Sequence, residues 1–167
     1  MGIFDFFKGK DKERPQNQTE ETSNSEQASI QYETKLTAHE LKAGQDTIDQ
    51  VVQTMVEEDP FKQYYKGKSL EDMTPLTSRL YKYEAITTVN VDFDSQEKNR
   101  ILVVVEGTPL GYVPEEKANA IQEHQKKYLL TAFVYVTGGP YIEYNKEQEK
   151  AVEDSSPLGL DIFVQFT

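Results

Sequence analysis

The sequence lacks several residue types on which common functional sites depend. None of its 167 residues is Cys or Trp, and its two His residues, His39 and His124, are far apart in the chain. The absence of Cys excludes disulfide bonds, thiolate metal sites and a cysteine nucleophile. Two separated His residues argue against a His-rich metal site and a Ser-His relay. We therefore expect no metal, no cofactor and no catalytic residue, and we expect a protein that is not an enzyme.

Basic residues are also scarce. The chain has 18 Lys and Arg against 29 Asp and Glu, a formal net charge of -11. Proteins that coat nucleic acid through bulk charge need an excess of cations, so this balance argues against tight, salt-driven binding along DNA. No segment approaches the roughly 20 apolar residues of a membrane-spanning helix. Signal-peptide and myristoylation patterns are absent as well, and we expect a cytoplasmic protein.

The first 29 residues divide into two segments. Residues 1–7 are short and apolar, with a single acid, Asp5. Their large apolar side chains are those of Ile3, Phe4, Phe6 and Phe7. One interpretation is an amphipathic segment that docks on a membrane surface or a partner; the other is a segment that packs into the core or stays a mobile tip. Residues 8–29 are polar apart from Ala28, which predicts a disordered tether because they cannot bury enough apolar surface.

Residues 30–77 are predicted to form a helical and irregular lead-in. Thr37 and Glu40 have the spacing of a capping box, which marks the start of a helix. Apolar residues recur at helical spacing from Leu41 to Val56, and Pro60 lies just beyond a plausible end near Glu58. The rest of the lead-in reads as loop or short helical turns.

Residues 78–167 are predicted to form a barrel domain. Alternating residues from Tyr81 to Phe93 indicate one half-buried strand. Further strands are expected at 101–105, 110–113, 129–137, 141–145 and 158–166, with an acidic loop at 146–156. Pro114, followed by Glu115 and Glu116, indicates a short helix between the third and fourth strands. The predicted fold class is α+β: a small, mostly antiparallel OB- or SH3-like barrel with a short inserted helix, preceded by an N-terminal helix and a disordered tail.

Tyrosines are concentrated in the predicted barrel. Seven of the ten Tyr lie between Arg79 and Asn145, together with seven Lys or Arg and nine Asp or Glu, so this span has a net charge of only -2. Aromatic side chains beside cations on a barrel face are what single-strand binders use, for stacking on bases and for contacting phosphates. Strands also favour aromatic residues for packing alone, and composition by itself favours that second explanation.

A family resemblance enters at Lys98. The segments Lys98-Asn99-Arg100-Ile101, Val103-Val104-Val105-Glu106-Gly107 and Leu110-Gly111-Tyr112-Val113-Pro114 resemble, in order and spacing, the HIRAN domain. The resemblance covers roughly residues 80–166 and includes the Gly138-Gly139-Pro140-Tyr141 turn. It implies a modified OB- or SH3-like barrel with inserted helices. It also implies DNA binding, which in well-studied members involves a pocket for the free 3′ end of a single strand.

The resemblance implies a set of DNA-binding residues. They are Glu97, Lys98, Asn99, Arg100, Tyr112 and Lys117. The sequence departs from end-binding members at Gln96, where they carry an aromatic residue, and at about Glu115, where they carry a Lys. Glu97 keeps the acid, which could accept a hydrogen bond from a terminal 3′-hydroxyl. Lys98, Arg100 or Lys117 would then have to supply the phosphate contact.

Two functional hypotheses follow. The first is a non-enzymatic, HIRAN-like module that weakly binds single-stranded DNA or DNA 3′ ends. The second is an acidic protein-interaction or scaffold module that docks on a membrane or partner through Ile3, Phe4, Phe6 and Phe7.

Overall fold

The computed structural model describes residues 29–167, which form eight strands and two α-helices. The strands are β1 (Tyr32–Thr37), β2 (Leu80–Tyr81), β3 (Thr87–Thr88), β4 (Val91–Glu97), β5 (Arg100–Val105), β6 (Thr108–Tyr112), β7 (Leu130–Asn145) and β8 (Lys150–Phe166). The helices are α1 (Gln45–Glu58) and α2 (Glu115–Gln125). Residues 1–28, with the predicted docking segment and most of the tether, lie outside the described residues.

The strands form two antiparallel sheets, which confirms the predicted α+β class. The larger sheet has the order β1-β8-β7-β2, with β3 also paired to β7, and the smaller sheet has the order β4-β5-β6. β4 contacts β7, but within residues 29–167 no ladder of paired strands joins the two sheets into a closed barrel. The OB- or SH3-like barrel therefore stays a prediction.

A long hairpin of β7 and β8 forms the centre of the larger sheet. The sequence predicts a turn at Gly138-Gly139-Pro140, which is wrong, and a loop at 146–156, of which only residues 146–149 form a turn. β7 continues through the glycines, with a shift in pairing between Thr137 and Gly139, and the chain turns only between Asn145 and Lys150. Residues 150–156 of the acidic stretch are extended because each of them pairs with a residue of β7, as Asp154 does with Tyr141.

The lead-in is part of the same fold. β1 pairs antiparallel with β8, and Leu36 lies opposite Ile162. α1 buries Val51 and Val52 in the core cluster that also contains Ile162. Residues 30–77 therefore contribute an edge strand as well as a helix, and they share one core with residues 78–167.

The capping-box hydrogen bonds at the end of β1 form, but they do not begin a long helix. The Thr37 amide donates to Glu40 Oε2 (2.9 Å), and the Glu40 amide donates to Thr37 Oγ1 (3.1 Å). The helical turn that they start ends at Lys42, whose φ of 59° is left-handed. α1 begins only at Gln45, after Gly44. The predicted helix start at Thr37 was therefore wrong by about two turns.

The predicted strand from Tyr81 to Phe93 is divided into β2, β3 and the start of β4. A turn interrupts it, in which the Ile86 amide donates to the Tyr83 carbonyl (3.0 Å) and buries the Ile86 side chain. The alternation of residue types persists, but it is spread over strands of both sheets. Periodicity alone does not show where a chain leaves one sheet for another.

One hydrophobic core joins both sheets and both helices. Its members include Leu36, Val52, Met55, Val103, Val113, Ile121, Val134, Ile162 and Phe166. α2 begins after Pro114, as predicted, and buries Ala118 and Ile121. Among the described residues, no polar or charged residue is buried as a whole. No helix within residues 29–167 is long and apolar enough to cross a membrane.

Candidate functional site

The turn between β4 and β5 brings the predicted site residues Glu97, Lys98, Asn99 and Arg100 to one end of the smaller sheet. Asn99 has a φ of 60°, a left-handed conformation that Asn tolerates better than most residues. Gln122 of α2 holds this turn from both sides: its Oε1 accepts from the Asn99 amide (2.8 Å), and its Nε2 donates to the Glu97 carbonyl (2.9 Å). The turn is thus fixed to a helix.

The Asn99 side chain has an unmet hydrogen-bonding requirement. Its Oδ1 atom is buried and has no hydrogen-bond partner among the described residues. Buried acceptors are satisfied in most folded proteins, so an unsatisfied one is an unusual feature that calls for an explanation.

Arg100 and Tyr112 form a cation–aromatic pair beside the turn. Arg100 Cζ lies 4.5 Å from the centroid of the Tyr112 ring, and Tyr112 is 39% exposed. The Tyr112 hydroxyl donates to Gln96 Oε1 (3.1 Å), so Gln96 helps to position the ring. The contact with Tyr112 also raises the pKa of the Arg100 guanidinium, which stays charged. The pair offers stacking surface and positive charge together.

A shallow depression of about 460 Å³ lies against the turn. Its lining residues are Ser95, Gln96, Glu97, Lys98, Gln122, Gln125 and Lys126. Lys126 Nζ pairs with Glu123 Oε1 at 2.8 Å, and this hydrogen bond lowers the pKa of the Glu123 carboxyl. The lining carries two lysines and Glu97, and the depression is too open to enclose a small molecule.

The structure places Lys117 away from the other five predicted residues. Lys117 Nζ donates to the Lys35 carbonyl (2.8 Å) and to Glu40 Oε1 (2.8 Å), so it joins α2 to β1 and to the turn after it. Lys117 precedes Gln122 by five residues, which places it about 140° around the helix from the side that holds the turn. The Lys117 hydrogen bond is also the largest cause of the lowered pKa of Glu40.

Lys117→Met is expected to lower the free energy of unfolding by about 1 kcal/mol near pH 7, because it removes two charge-assisted hydrogen bonds. The folded-state pKa of Glu40 is lowered, so its ion pair stabilises the fold above the ordinary carboxyl pKa and is lost as pH falls through the lowered value. Urea unfolding should therefore show that the difference in the free energy of unfolding between Lys117→Met and wild type becomes smaller as pH falls.

The matched control for Lys117→Met is Lys126→Met, which breaks an ion pair whose side chains are 66% and 59% exposed. Exposed pairs contribute little, so this control should unfold almost as wild type does. Equal loss in both variants, or a Lys117→Met difference that grows in acid, would contradict the role given to Lys117.

The other tyrosines of the predicted barrel do not join this site. Arg79 packs over Tyr141, with Cζ 3.9 Å from the ring centroid, at the far end of β7 from α2. Lys82 Nζ lies 5.0 Å from the Tyr64 ring centroid in the same region. Tyr135 pairs instead with Phe163 on the outer face of the larger sheet. The tyrosines and cations between Arg79 and Asn145 are therefore close in the sequence, but the fold places them on separate surfaces.

Sequence reasoning missed Gln122, Gln125 and Lys126, which complete the depression. No motif marks them, because their place depends on how α2 packs against the β4–β5 turn. Within residues 29–167, no group of three or more His, Asp or Glu residues is placed to hold a metal ion.

The chain was compared with family models, curated proteins and solved structures. No family model matches it, and no curated protein and no solved structure matches it either. The resemblance to the HIRAN domain therefore stays a prediction.

Proposed function

We propose that this protein is a non-enzymatic binding module of the cytoplasm that weakly binds single-stranded DNA, with the DNA 3′ end at the β4–β5 turn. The observation that carries the proposal is the exposed Arg100–Tyr112 pair beside Lys98 and the depression. Bases stack on aromatic rings and on guanidinium planes, and cations bind phosphates. The proposal includes the OB- or SH3-like barrel, which the contact between β4 and β7 supports.

The chemistry of a 3′ end fits the turn. A terminal hydroxyl is a donor, and the turn carries two acceptors two residues apart: the exposed Glu97 carboxylate and the buried Asn99 Oδ1, which has no partner among residues 29–167. Phosphates upstream of the end would lie against Lys98 and Lys126, and the terminal base would stack on Tyr112. A strand blocked by a 3′-phosphate replaces the donor with negative charge next to Glu97, so it should bind less well.

The binding should be weak. Lys98, Arg100 and Lys126 contact three phosphates at most, which predicts a salt dependence of log K of only about -2.1, since each phosphate contact on a single strand contributes about -0.7. Glu97 and Glu123 beside these lysines reduce the local potential further. Such a site recognises a chain end through geometry more than through attraction to the backbone.

The test is an NMR titration of the ¹⁵N-labelled full chain with a short oligothymidylate at low salt. Amide signals around Asn99 and Tyr112 are expected to shift with a free 3′-hydroxyl, and less with a 3′-phosphate. Tyr112→Ala should weaken binding about tenfold, because it removes one stacking contact. Arg79→Gln is the control: it disrupts another arginine–tyrosine pair, that of Arg79 with Tyr141, at the end of β7 far from α2. It should leave the affinity for the oligonucleotide unchanged.

Two results would reject the proposal: no shift with either oligonucleotide, or the same loss of affinity in Arg79→Gln as in Tyr112→Ala. A titration with a Lys-rich peptide in the same buffer tests the alternative. Shifts caused by that peptide and by neither oligonucleotide would favour an acidic module that binds a basic protein.

A further inference from the structure

The outer face of the larger sheet carries a group of aromatic side chains, which we call the aromatic face: Phe133, Tyr135 and Phe163. Phe133 lies directly opposite Phe163 in the β7–β8 ladder. The rings of Tyr135 and Phe163 meet edge to face with centroids 5.4 Å apart, and these residues are 37% and 41% exposed. Neighbouring residues on the same strands point into the core, so the aromatic face is not part of it.

The charges around the aromatic face are mixed. Lys35 of β1 lies opposite Phe163 and pairs with Asp161 at 3.7 Å, and Glu33 lies opposite Gln165. These two acids outnumber the one lysine, so the net negative charge around this face disfavours binding of nucleic acid. A depression of about 330 Å³ between β1 and β8 extends it; its lining residues are Glu33, Thr34, Lys35, Phe163, Val164 and Gln165. The surface fits a short apolar segment with its own charges.

The chain itself contains such a segment within reach. Residues 3–7 combine four large apolar side chains with Asp5, which complements Lys35. The described chain begins six residues before Lys35, about 20 Å away along the strand. A flexible linker as long as residues 8–28 has a root-mean-square span of about 25 Å. Intramolecular binding is strongest when the linker's mean span matches the distance to be bridged.

We propose that Ile3, Phe4, Phe6 and Phe7 dock on the aromatic face of their own chain. The apolar side chains cover Phe163 and Tyr135 and fill the depression beside β1. Asp5 lies against Lys35, in competition with Asp161. This self-docking is independent of the DNA site at the β4–β5 turn, since the outer face of the larger sheet is a different surface.

Paramagnetic broadening on the full chain tests the docking. The sequence contains no Cys, so Gly2→Cys gives a unique position for a nitroxide spin label. In a dilute ¹⁵N sample, the amide signals of Phe133, Tyr135 and Phe163 are expected to lose most of the intensity that they have after the nitroxide is reduced. The double substitution Phe4→Ser and Phe6→Ser in the labelled chain should restore that intensity.

A second pair of variants tests the receiving surface. Phe163→Thr keeps a strand-forming residue but removes the aromatic surface, and it should restore the Phe133 and Tyr135 signals. Phe61→Thr is the matched control, because Phe61 is an 87% exposed aromatic residue outside the larger sheet, and it should leave the broadening intact.

Other occupants give other results. In a second sample, chains that carry the nitroxide but no ¹⁵N are mixed with ¹⁵N chains that carry no nitroxide. If the signals broaden only in that mixture, the segment docks on a second copy. If they stay sharp in buffer and the labelled segment binds vesicles of phosphatidylcholine and phosphatidylserine, it is a membrane anchor. Either result overturns the proposal, as does broadening that survives Phe4→Ser with Phe6→Ser.

Discussion

Gly111→Ala is expected to destabilise the fold by about 4 kcal/mol or more, a large part of the stability of a typical domain. Gly111 lies in β6 with a φ of +153°, and a Cβ added there would sit 2.0 Å from the carbonyl oxygen of Leu41. The clash is with backbone, in the turn after β1, whose Leu41 side chain is itself buried. Because the clash is with backbone instead of a flexible side-chain end, β6 or the turn after β1 must shift to relieve it.

Urea unfolding measures this effect, and two other glycines provide controls. Gly107→Ala meets nothing within 4 Å but has a φ of +75°, so it should cost only the left-handed penalty of about 1 kcal/mol. Gly44→Ala meets nothing within 4 Å and has a φ of -71°, so it should cost at most the roughly 1 kcal/mol of placing Ala at a helix N-cap. If Gly111→Ala unfolds at the same urea concentration as Gly107→Ala, β6 does not approach Leu41 as described.

Phe166→Ala is expected to lower the free energy of unfolding by about 3–5 kcal/mol, because it leaves a cavity at a position with no exposure. Phe166 ends β8, and its ring centroid lies 6.1 Å from that of Tyr32 and 5.6 Å from that of His124. It therefore joins β1, β8 and the end of α2. The same urea unfolding experiment measures the loss.

Phe163→Ala is the matched control for Phe166→Ala. Phe163 occupies the same strand but points to the outer face and is 41% exposed. Its removal leaves an open surface instead of a cavity, and we expect a loss of about 1 kcal/mol or less. Similar losses of stability in the two variants would mean that Phe163 and Phe166 do not lie on opposite faces of β8.

Sequence patterns predicted the parts of the fold that local chemistry determines. α2 is one: Pro114 fixes its start, and Glu115 and Glu116 follow in the first turn, where acids are favourable. The β5–β6 hairpin is another, because Gly107 supplies the left-handed residue that a tight turn needs. These signals lie within a few residues of the structure that they cause.

Other parts depend on partners that are distant in the chain. The acidic run before Pro157 has poor strand propensity, yet it is extended because β7 offers it a continuous ladder. Conversely, Thr37 and Glu40 form the hydrogen bonds of a helix start, but Lys42 and Gly44 end that turn before α1. Local propensity is overridden wherever pairing or packing with another element is worth more.

The candidate site shows the same division. Glu97 to Arg100 are consecutive, so their proximity was certain, and Tyr112 joins them because it pairs with Leu102 in the β5–β6 ladder. Lys117 does not join them, since the side of α2 that meets the turn is decided by how Ala118 and Ile121 pack in the core. Gln122 was beyond prediction for that reason as well.

The pairing of β1 with β8 has a consequence for biosynthesis. Tyr32 pairs with Phe166, so the first described strand finds its partner only after more than 130 further residues have been made. Contacts between such distant residues form slowly, and chains emerge from the ribosome with their N-terminal residues first. Until β8 has been made, Leu36 and the backbone of β1 remain without the partner they have in the fold, so the nascent chain must avoid aggregation until β8 emerges.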